Sequence, residues 1–246
     1  MKTSNSKVVI VTGASRGIGA AISRRLGSDG FTVVVNYAGS AAAAESLVRE
    51  IENAGGRSMA VQADVSDSVA VARLFDTAEK QFGGVDVLVN NAGVMLLSPI
   101  AEASDELIDR QIAVNLKGVL NGMREAAKRL RNGGRIISFS SSVVGLYQPT
   151  YAIYAATKAG VEAMTHVLSK ELRGRNITVN AIAPGPTATD LFLKGKPQEV
   201  VDHLAKLAPL ERLGQPEDIA NAVAFLAGSD GSWINGQVIK ANGGVI

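Results

Sequence analysis

The chain of 246 residues contains no cysteine, which excludes disulfides, thiolate metal sites and a cysteine nucleophile. His166 and His203 are its only imidazoles, so no metal site is expected. No apolar run is long enough to span a bilayer, so no membrane partner is expected. Lys+Arg total 25 against Asp+Glu 23, a net charge of +2, and this balance gives no reason to expect nucleic acid as a partner. The opening segment, MKTSNSKVVIVTG, is too short in apolar character for a secretory leader, and a cytoplasmic location is the default expectation. Aromatic residues are scarce at 4%. Three of the four tyrosines, Tyr147, Tyr151 and Tyr154, nevertheless fall in SFSSSVVGLYQPTYAIYAATK, residues 138–158, together with four serines and Lys158.

Apolar residues make up 46% of the chain and there are 26 glycines, a composition that supports one sizeable core. Short β-branched runs at 7–13, 31–37, 57–64, 85–91, 135–141 and 177–184 alternate with longer stretches of helical period. A seventh run, GQVIKA, lies at 236–241. Strands separated by helices predict βαβ units and a parallel sheet, and strands as uniformly apolar as VDVLV require cover on both faces. The expected fold is α/β: a doubly wound, Rossmann-like, seven-stranded parallel sheet in a single domain over 1–246. After residue 184 the pattern changes to turns and short helices, and a segment at about 188–210 is expected to lie as a substrate lid over the crevice at the strands' carboxyl ends.

The first strand runs into TGASRGIG, with glycines at 13, 17 and 19 opening a helix. Glycines there permit a tight turn and let backbone N–H groups approach a pyrophosphate at the helix N-terminus. TGASRGIG, NNAG at 90–93, YAATK at 154–158 and PG at 184–185 occur in the order and spacing of the short-chain dehydrogenase/reductase family. The chain resembles that family over nearly its whole length. The resemblance implies a nicotinamide-dependent oxidoreductase acting on a small-molecule carbonyl, usually as a homotetramer.

Carried onto matching positions, the resemblance implies cofactor contacts at Gly13, Ser15, Arg16, Gly17, Ile18 and Gly19 and, in the NNAG turn, at Asn91, Ala92 and Gly93. It also implies contacts at Asp64 and Val65, at Tyr154 and Lys158, and at Pro184, Gly185 and Thr187. An acid at the end of the second strand would bind a ribose hydroxyl and repel a 2′-phosphate. This chain has Asn36, Tyr37 and Ser40 there, with Arg16 in the glycine loop, and a guanidinium pairs well with phosphate. NADP(H) is the expected cofactor. Asp64 is equally suited to a turn, and Arg16 to a solvated loop.

Carbonyl reduction needs a proton donor beside the oxygen and hydrogen bonds to its developing charge. Tyr154 and Lys158, four apart on one long helix, share a face, and the ammonium is expected to lower the phenol's pKa. Tyr151, two turns away beside Pro149, is less well placed. The family's spacings from Arg135 and from Tyr154 both select Ser141 as the catalytic serine, whereas its glycine, here Gly145, selects Ser142; the alternative stays open. Asn115 matches the family's helix asparagine, and a buried structural role suits it as well. Near the C-terminus ANGG replaces the family's frequent Asp-Gly-Gly, a position expected to be structural. Leu146, Tyr147, Met95 and the LFL at 191–193 suggest an apolar cleft. Two further readings stay open: 3-oxoacyl carrier-protein reduction, for which Arg175 has the expected placement and Asn132 does not, and a nucleotide-binding regulator without turnover.

Overall fold

The computed structural model describes residues 6–246; residues 1–5, which the expected 1–246 domain includes, lie outside the described residues. Seven parallel strands form one sheet in the order β3-β2-β1-β4-β5-β6-β7. The first half runs β1 (Val8–Val11), α1 (Gly17–Ser28), β2 (Thr32–Tyr37), α2 (Ala41–Asn53), β3 (Arg57–Gln62) and α3 (Ser68–Phe82). Next come β4 (Val85–Asn90), α4 (Asp105–Gln111), a π-helical turn at Ile112–Lys117, α5 (Gly118–Arg129) and β5 (Leu130–Phe139). The remainder is α6 (Val143–Leu146), α7 (Ala152–Glu171), β6 (Thr178–Pro184), α8 (Asp190–Leu193), α9 (Gln198–Lys206), α10 (Pro216–Ala227) and β7 (Val238–Ala241).

The period of two along each strand assigns its side chains to opposite faces. Val9, Val11, Val33, Val35, Val87, Val89, Ile137 and Phe139 pack with Ile22 and Leu26 of α1, Leu47 of α2 and Ile219 and Val223 of α10. Val8, Ile10, Val34, Leu88, Ile136 and Val179 pack on the other face with Leu74 and Phe75 of α3, Met123 of α5 and Val161 of α7. This two-sided cover is the reason the strands lack a polar alternation. The chain reverses direction across the sheet between β1 and β4, and the carboxyl ends of those strands open the crevice where this fold class binds ligands.

One strand departs from the expected bounds. β5 starts at Leu130 rather than near residue 135, because Leu130 pairs with Val85 before the register shifts to Arg135 opposite Val87. The intervening Arg-Asn-Gly-Gly bulges, with Gly133 at φ 83°, and carries no strand-like pattern in the sequence. Phe75 is fully buried beneath the sheet. Phe75→Ala is expected to cost about 3–5 kcal/mol, measured by urea unfolding; a loss below about 1 kcal/mol would contradict this packing.

Candidate functional site

A single cleft of about 550 Å³ runs over the carboxyl ends of β1, β4, β5 and β6. The turn after β1 forms one wall. Gly13 and Gly17 adopt φ 61° and 55°, a region that disfavours any side chain. A methyl group at Gly13 would come within 2.8 Å of the Ala92 backbone, and one at Gly19 within 2.5 Å of the Asn91 amide. The backbones of this turn and the NNAG turn are thus pressed together, and Gly17, Ile18 and Gly19 at the start of α1 line the cleft. Thr12, which sequence reasoning missed, joins them: its hydroxyl accepts from the N–H groups of Asn91 and Ala92 at 3.0 and 3.1 Å. That threonine opens TGASRGIG, where the glycines alone drew the cofactor reading.

Asn91 lines the cleft, but its side-chain amide donates to the carbonyls of Thr12 and Gly13 at 2.8 and 3.1 Å. Asn36 is also tied to backbone. Its carbonyl oxygen accepts from Gly13 N–H at 3.2 Å, and its amide donates to Val61 and Ala63 at 3.2 and 3.0 Å. Both asparagines therefore shape the turn from beneath. Tyr37 corrects the sequence expectation: it is absent from the lining and packs partly buried against the core that α1, α2 and α10 share, because its position in the strand turns it to that face. Arg16 and Ser40 both face the cleft rim with Ala38 and Gly39, and Ser40 precedes α2 without a side-chain capping bond, so its hydroxyl is free.

Asp64 closes a turn and also faces the cleft. Its carboxylate accepts from the Ser66 N–H and hydroxyl at 2.9 and 2.7 Å, closing a turn, and it lines the cleft beside Val65. Arg110 approaches it at 3.6 Å and also lines the cleft, a residue without any signature in the sequence. Burial opposes ionisation of Asp64, but the Ser66 hydrogen bonds and the Arg110 charge outweigh it and hold the carboxyl below its ordinary range.

Tyr154 and Lys158 lie on α7 against the end of β5. The Lys158 ammonium is 3% exposed and donates to the Phe139 carbonyl at 2.8 Å. Burial lowers its pKa to about 8. Tyr154 moves opposite to the expectation of a lowered pKa: burial raises it to about 12, opposed by the Ser141 hydroxyl and assisted by the neighbouring Tyr151. The ammonium stands 5.6 Å from the Tyr154 ring centroid, and desolvation of the phenolate is the larger effect. Tyr151 packs edge-on against Tyr154 with centroids 6.4 Å apart and lines the cleft. Tyr147 does not: it is 83% exposed in a left-handed turn at φ 50°, which directs it away from the cleft wall it was expected to form.

The two serines differ in their commitments. Ser142 is 1% exposed, donates to the Ala183 carbonyl at 3.3 Å and accepts from the Asn242 amide at 3.1 Å. Ser141 lines the cleft, accepts a long bond from Val143 N–H at 3.4 Å, and turns its own hydroxyl to Tyr154, opposing the rise of the phenol's pKa. Asn115, fully buried in the π-helical turn, accepts from Val94 N–H and donates to Val94 C=O, each at 2.8 Å. A methyl group on Gly93 would lie 3.3 Å from the Asn115 oxygen and 3.7 Å from the Lys158 nitrogen, so glycine keeps that approach clear.

Pro184, Gly185 and Thr187 line the cleft after β6, and Thr189, Leu191, Phe192, Leu204 and Leu207 of the following segment cover it. Thr189 also comes close to the first wall, 3.6 Å from a methyl group placed on Gly17. Arg175 is not at the cleft mouth. Its guanidinium donates to the carbonyls of Ala127 and Leu130 and to Asn132 at 3.1 Å, at the start of β5 and the opposite end of the sheet from Ser141.

A family model described as "Enoyl-(Acyl carrier protein) reductase" matches residues 13–246. A relative named short-chain type dehydrogenase/reductase, from Picea abies, is 47% identical over 98% of this chain and 92% of its own length. An NADPH-dependent aldehyde reductase-like chloroplastic protein of Arabidopsis thaliana is 43% identical over 98% of this chain and 94% of its own. The crystal structure of a short-chain dehydrogenase from Burkholderia cenocepacia J2315 in complex with NADP superposes with a TM-score of 0.92 at 38% identity, covering 97% of both chains.

Removing the Asn115 amide strands the N–H and C=O of Val94. Asn115→Leu is therefore expected to cost about 1–3 kcal/mol for each stranded group. Urea unfolding measures it, and wild-type stability would show that Val94 finds other partners.

Proposed function

The chain belongs to the short-chain dehydrogenase/reductase family, and on that premise we propose that it is an NADPH-dependent reductase of ketones or aldehydes, with Tyr154 as the general acid. The observation that carries the reading is one cleft in which the glycine cradle, the Tyr154 and Lys158 pair and Ser141 meet. The cradle fits a dinucleotide: at Gly13 and Gly19 side chains would fill space between the two turns, and Ser15, Gly17 and Ile18 line the cleft at the start of α1, where a helix N-terminus suits a pyrophosphate. Arg16 and Ser40 would hold a 2′-phosphate, Asp64 and Val65 the adenine end, and Pro184, Gly185 and Thr187 the nicotinamide end. Bound there, NADPH supplies a hydride to the carbonyl carbon.

The protein's part is the oxygen. Ser141 donates a hydrogen bond to it and Tyr154 donates the proton, which leaves a phenolate. Lys158 offsets that phenolate charge from one helical turn away, oriented by the Phe139 carbonyl. Leu146, Tyr151, Leu191, Phe192, Leu204 and Leu207 give the substrate end an apolar lining suited to ketones with hydrophobic or aromatic groups. Carrier-protein substrates are disfavoured, because Arg175 is engaged with the backbone far from the mouth. A regulator without turnover would need no buried acid and ammonium.

The assembly we propose is a homotetramer, supported by exposed apolar residues: Leu120 at 49% on α5, Val167 at 55% on α7, Phe225 at 46% on α10 and Trp233 at 97% in the turn that follows. A cytoplasmic location belongs to the same reading; among the described residues no helix is long and apolar enough to cross a membrane.

NADPH is expected to be preferred over NADH. Arg16→Ala should raise the KM for NADPH by about tenfold or more, as the loss of a charge-assisted contact predicts, and leave that for NADH unchanged. Steady-state kinetics with both cofactors on a ketone panel plus an acetoacetyl thioester decides this, and a wild-type preference for NADH would overturn it.

Tyr154→Phe and Lys158→Ala should be the most damaging substitutions, Ser141→Ala intermediate and Asn115→Ala mildest. The lysine is charged below its pKa of about 8, while the tyrosine keeps its proton up to about 12. The kcat for reduction should therefore stay level at neutral pH and fall as pH rises through the lysine's pKa. A rate that climbs through that range, or full activity in Tyr154→Phe, would sink the mechanism.

A further inference from the structure

Three segments that are remote in sequence meet behind the cleft: the serine loop after β5, the turn after β6 and the turn after β7. Backbone bonds extend the sheet beyond its strands to join them. Ser140 N–H donates to Ile182 at 2.8 Å, Ser142 N–H to Pro184 at 2.9 Å and Gly185 N–H to Ala241 at 3.1 Å. Asn242 stands at the junction. A methyl group on Gly185 would come within 2.9 Å of the Asn242 backbone, and one on Gly145, in the serine loop, within 2.7 Å of the Ile246 side chain.

The side chains there form a chain of hydrogen bonds with one fixed polarity. The Asn242 oxygen accepts from Gly244 N–H at 2.9 Å, which turns its amide nitrogen toward Ser142. That nitrogen donates to the Ser142 hydroxyl at 3.1 Å, and the hydroxyl passes its own proton to the Ala183 carbonyl at 3.3 Å. A serine has one proton and two lone pairs. Ser142 and Ala183 are both buried, so Ser142 can satisfy the Ala183 carbonyl only while its other neighbour is a donor.

We infer that Asn242 is a positioning residue for the proposed reduction, fixing the Ser141 loop relative to the Pro184–Thr187 turn without touching the substrate. The inference rests on the function proposed above. The chain from Asn242 through Ser142 to Ala183 links the wall that carries the hydrogen-bond donor to the wall that would carry the hydride donor. An aspartate at 242, frequent in the family, has the same shape but accepts only, and in this chain it would face Ser142, whose proton the Ala183 carbonyl takes. A carboxylate that drew that proton away would leave the buried Ala183 carbonyl unpaired.

The test compares wild type, Asn242→Asp, Ser142→Ala and the double variant. Displacements of about 1 Å in a reacting geometry cost up to about a hundredfold in rate. Asn242→Asp is expected to lower kcat by about tenfold or more on that basis, with the KM for NADPH within about twofold of wild type, because the pyrophosphate wall is untouched. Ser142→Ala should show a comparable fall in kcat, and the double variant should be no worse than the poorer single variant, since both break one chain. Thermal unfolding of each variant accompanies the kinetics. Wild-type kcat in Asn242→Asp, or losses that multiply in the double variant, would overturn the inference. Should the wild-type chain show no NADPH-dependent turnover, the proposed function fails. The inference is then read from amide exchange at Ser142 and Gly185, slow in wild type and accelerated in both single variants; unchanged exchange refutes it.

Discussion

A buried ammonium with a carbonyl for its hydrogen-bond partner is the constraint around which the cleft is organised. Lys158 is 3% exposed and donates to Phe139, so its charge loses water and gains one dipole. Such a group is tolerated only where the surroundings hold it in place. The end of β5 supplies the carbonyl, and α7 must dock closely enough to deliver the side chain. That docking fixes Tyr154 one helical turn before the lysine. It also accounts for the small residues of the region: Gly160 makes room for Leu116 of the π-helical turn, where a methyl group would come within 2.7 Å of it, and Gly93 keeps clear the approach between Lys158 and Asn115. The catalytic geometry proposed here is thus a consequence of burying one cation at the carboxyl edge of a parallel sheet.

The sheet was legible because its strands are apolar on both faces, and a run such as VDVLV has no other stable use in a chain of this composition. The helical spacing of Tyr154 and Lys158 was legible for the same reason: period and face follow directly from sequence. Bounds failed where a strand is paired without being patterned. Leu130 joins the sheet opposite Val85 through a bulge of Arg, Asn and two glycines, which sequence alone reads as a loop. Tyr37 was misplaced by a different route. It follows Asn36 on the strand, so the two point to opposite faces, and only the carboxyl-end turn decides which of them meets the cleft.

Side-chain commitments were the least legible feature. Asn36, Asn91 and Asn115 occupy the positions expected for cofactor or relay contacts, yet each has its amide joined to backbone. Their shared task is to hold glycine-containing turns that have no side chains of their own with which to hold themselves. A motif read one residue at a time assigns each asparagine to the ligand, and hydrogen-bond accounting adds that each also holds backbone. Arg175 illustrates the same difficulty for charge. Its placement suggests a docking cation, but carbonyls of Ala127 and Leu130 take up its donors. The same accounting supports the proposed role of Ser141 over Ser142, since the Ser142 hydroxyl is doubly engaged behind the cleft while that of Ser141 faces Tyr154.

The opposite shifts of Tyr154 and Lys158 have one cause and different consequences. Burial disfavours whichever form carries charge, so it keeps the phenol protonated and makes the ammonium easier to discharge. At neutral pH the resting pair is a neutral acid beside a cation. Donating the phenol's proton creates an anion in the same desolvated space, where the ammonium offsets it far more effectively than in water. The pair is consequently arranged so that charge appears together with its counter-charge, during proton donation and not before it. In the reverse reaction the tyrosine would have to start as a phenolate, a form that its burial opposes until the medium is strongly alkaline. On the proposed mechanism, a pair of this kind donates its proton at neutral pH, as carbonyl reduction requires.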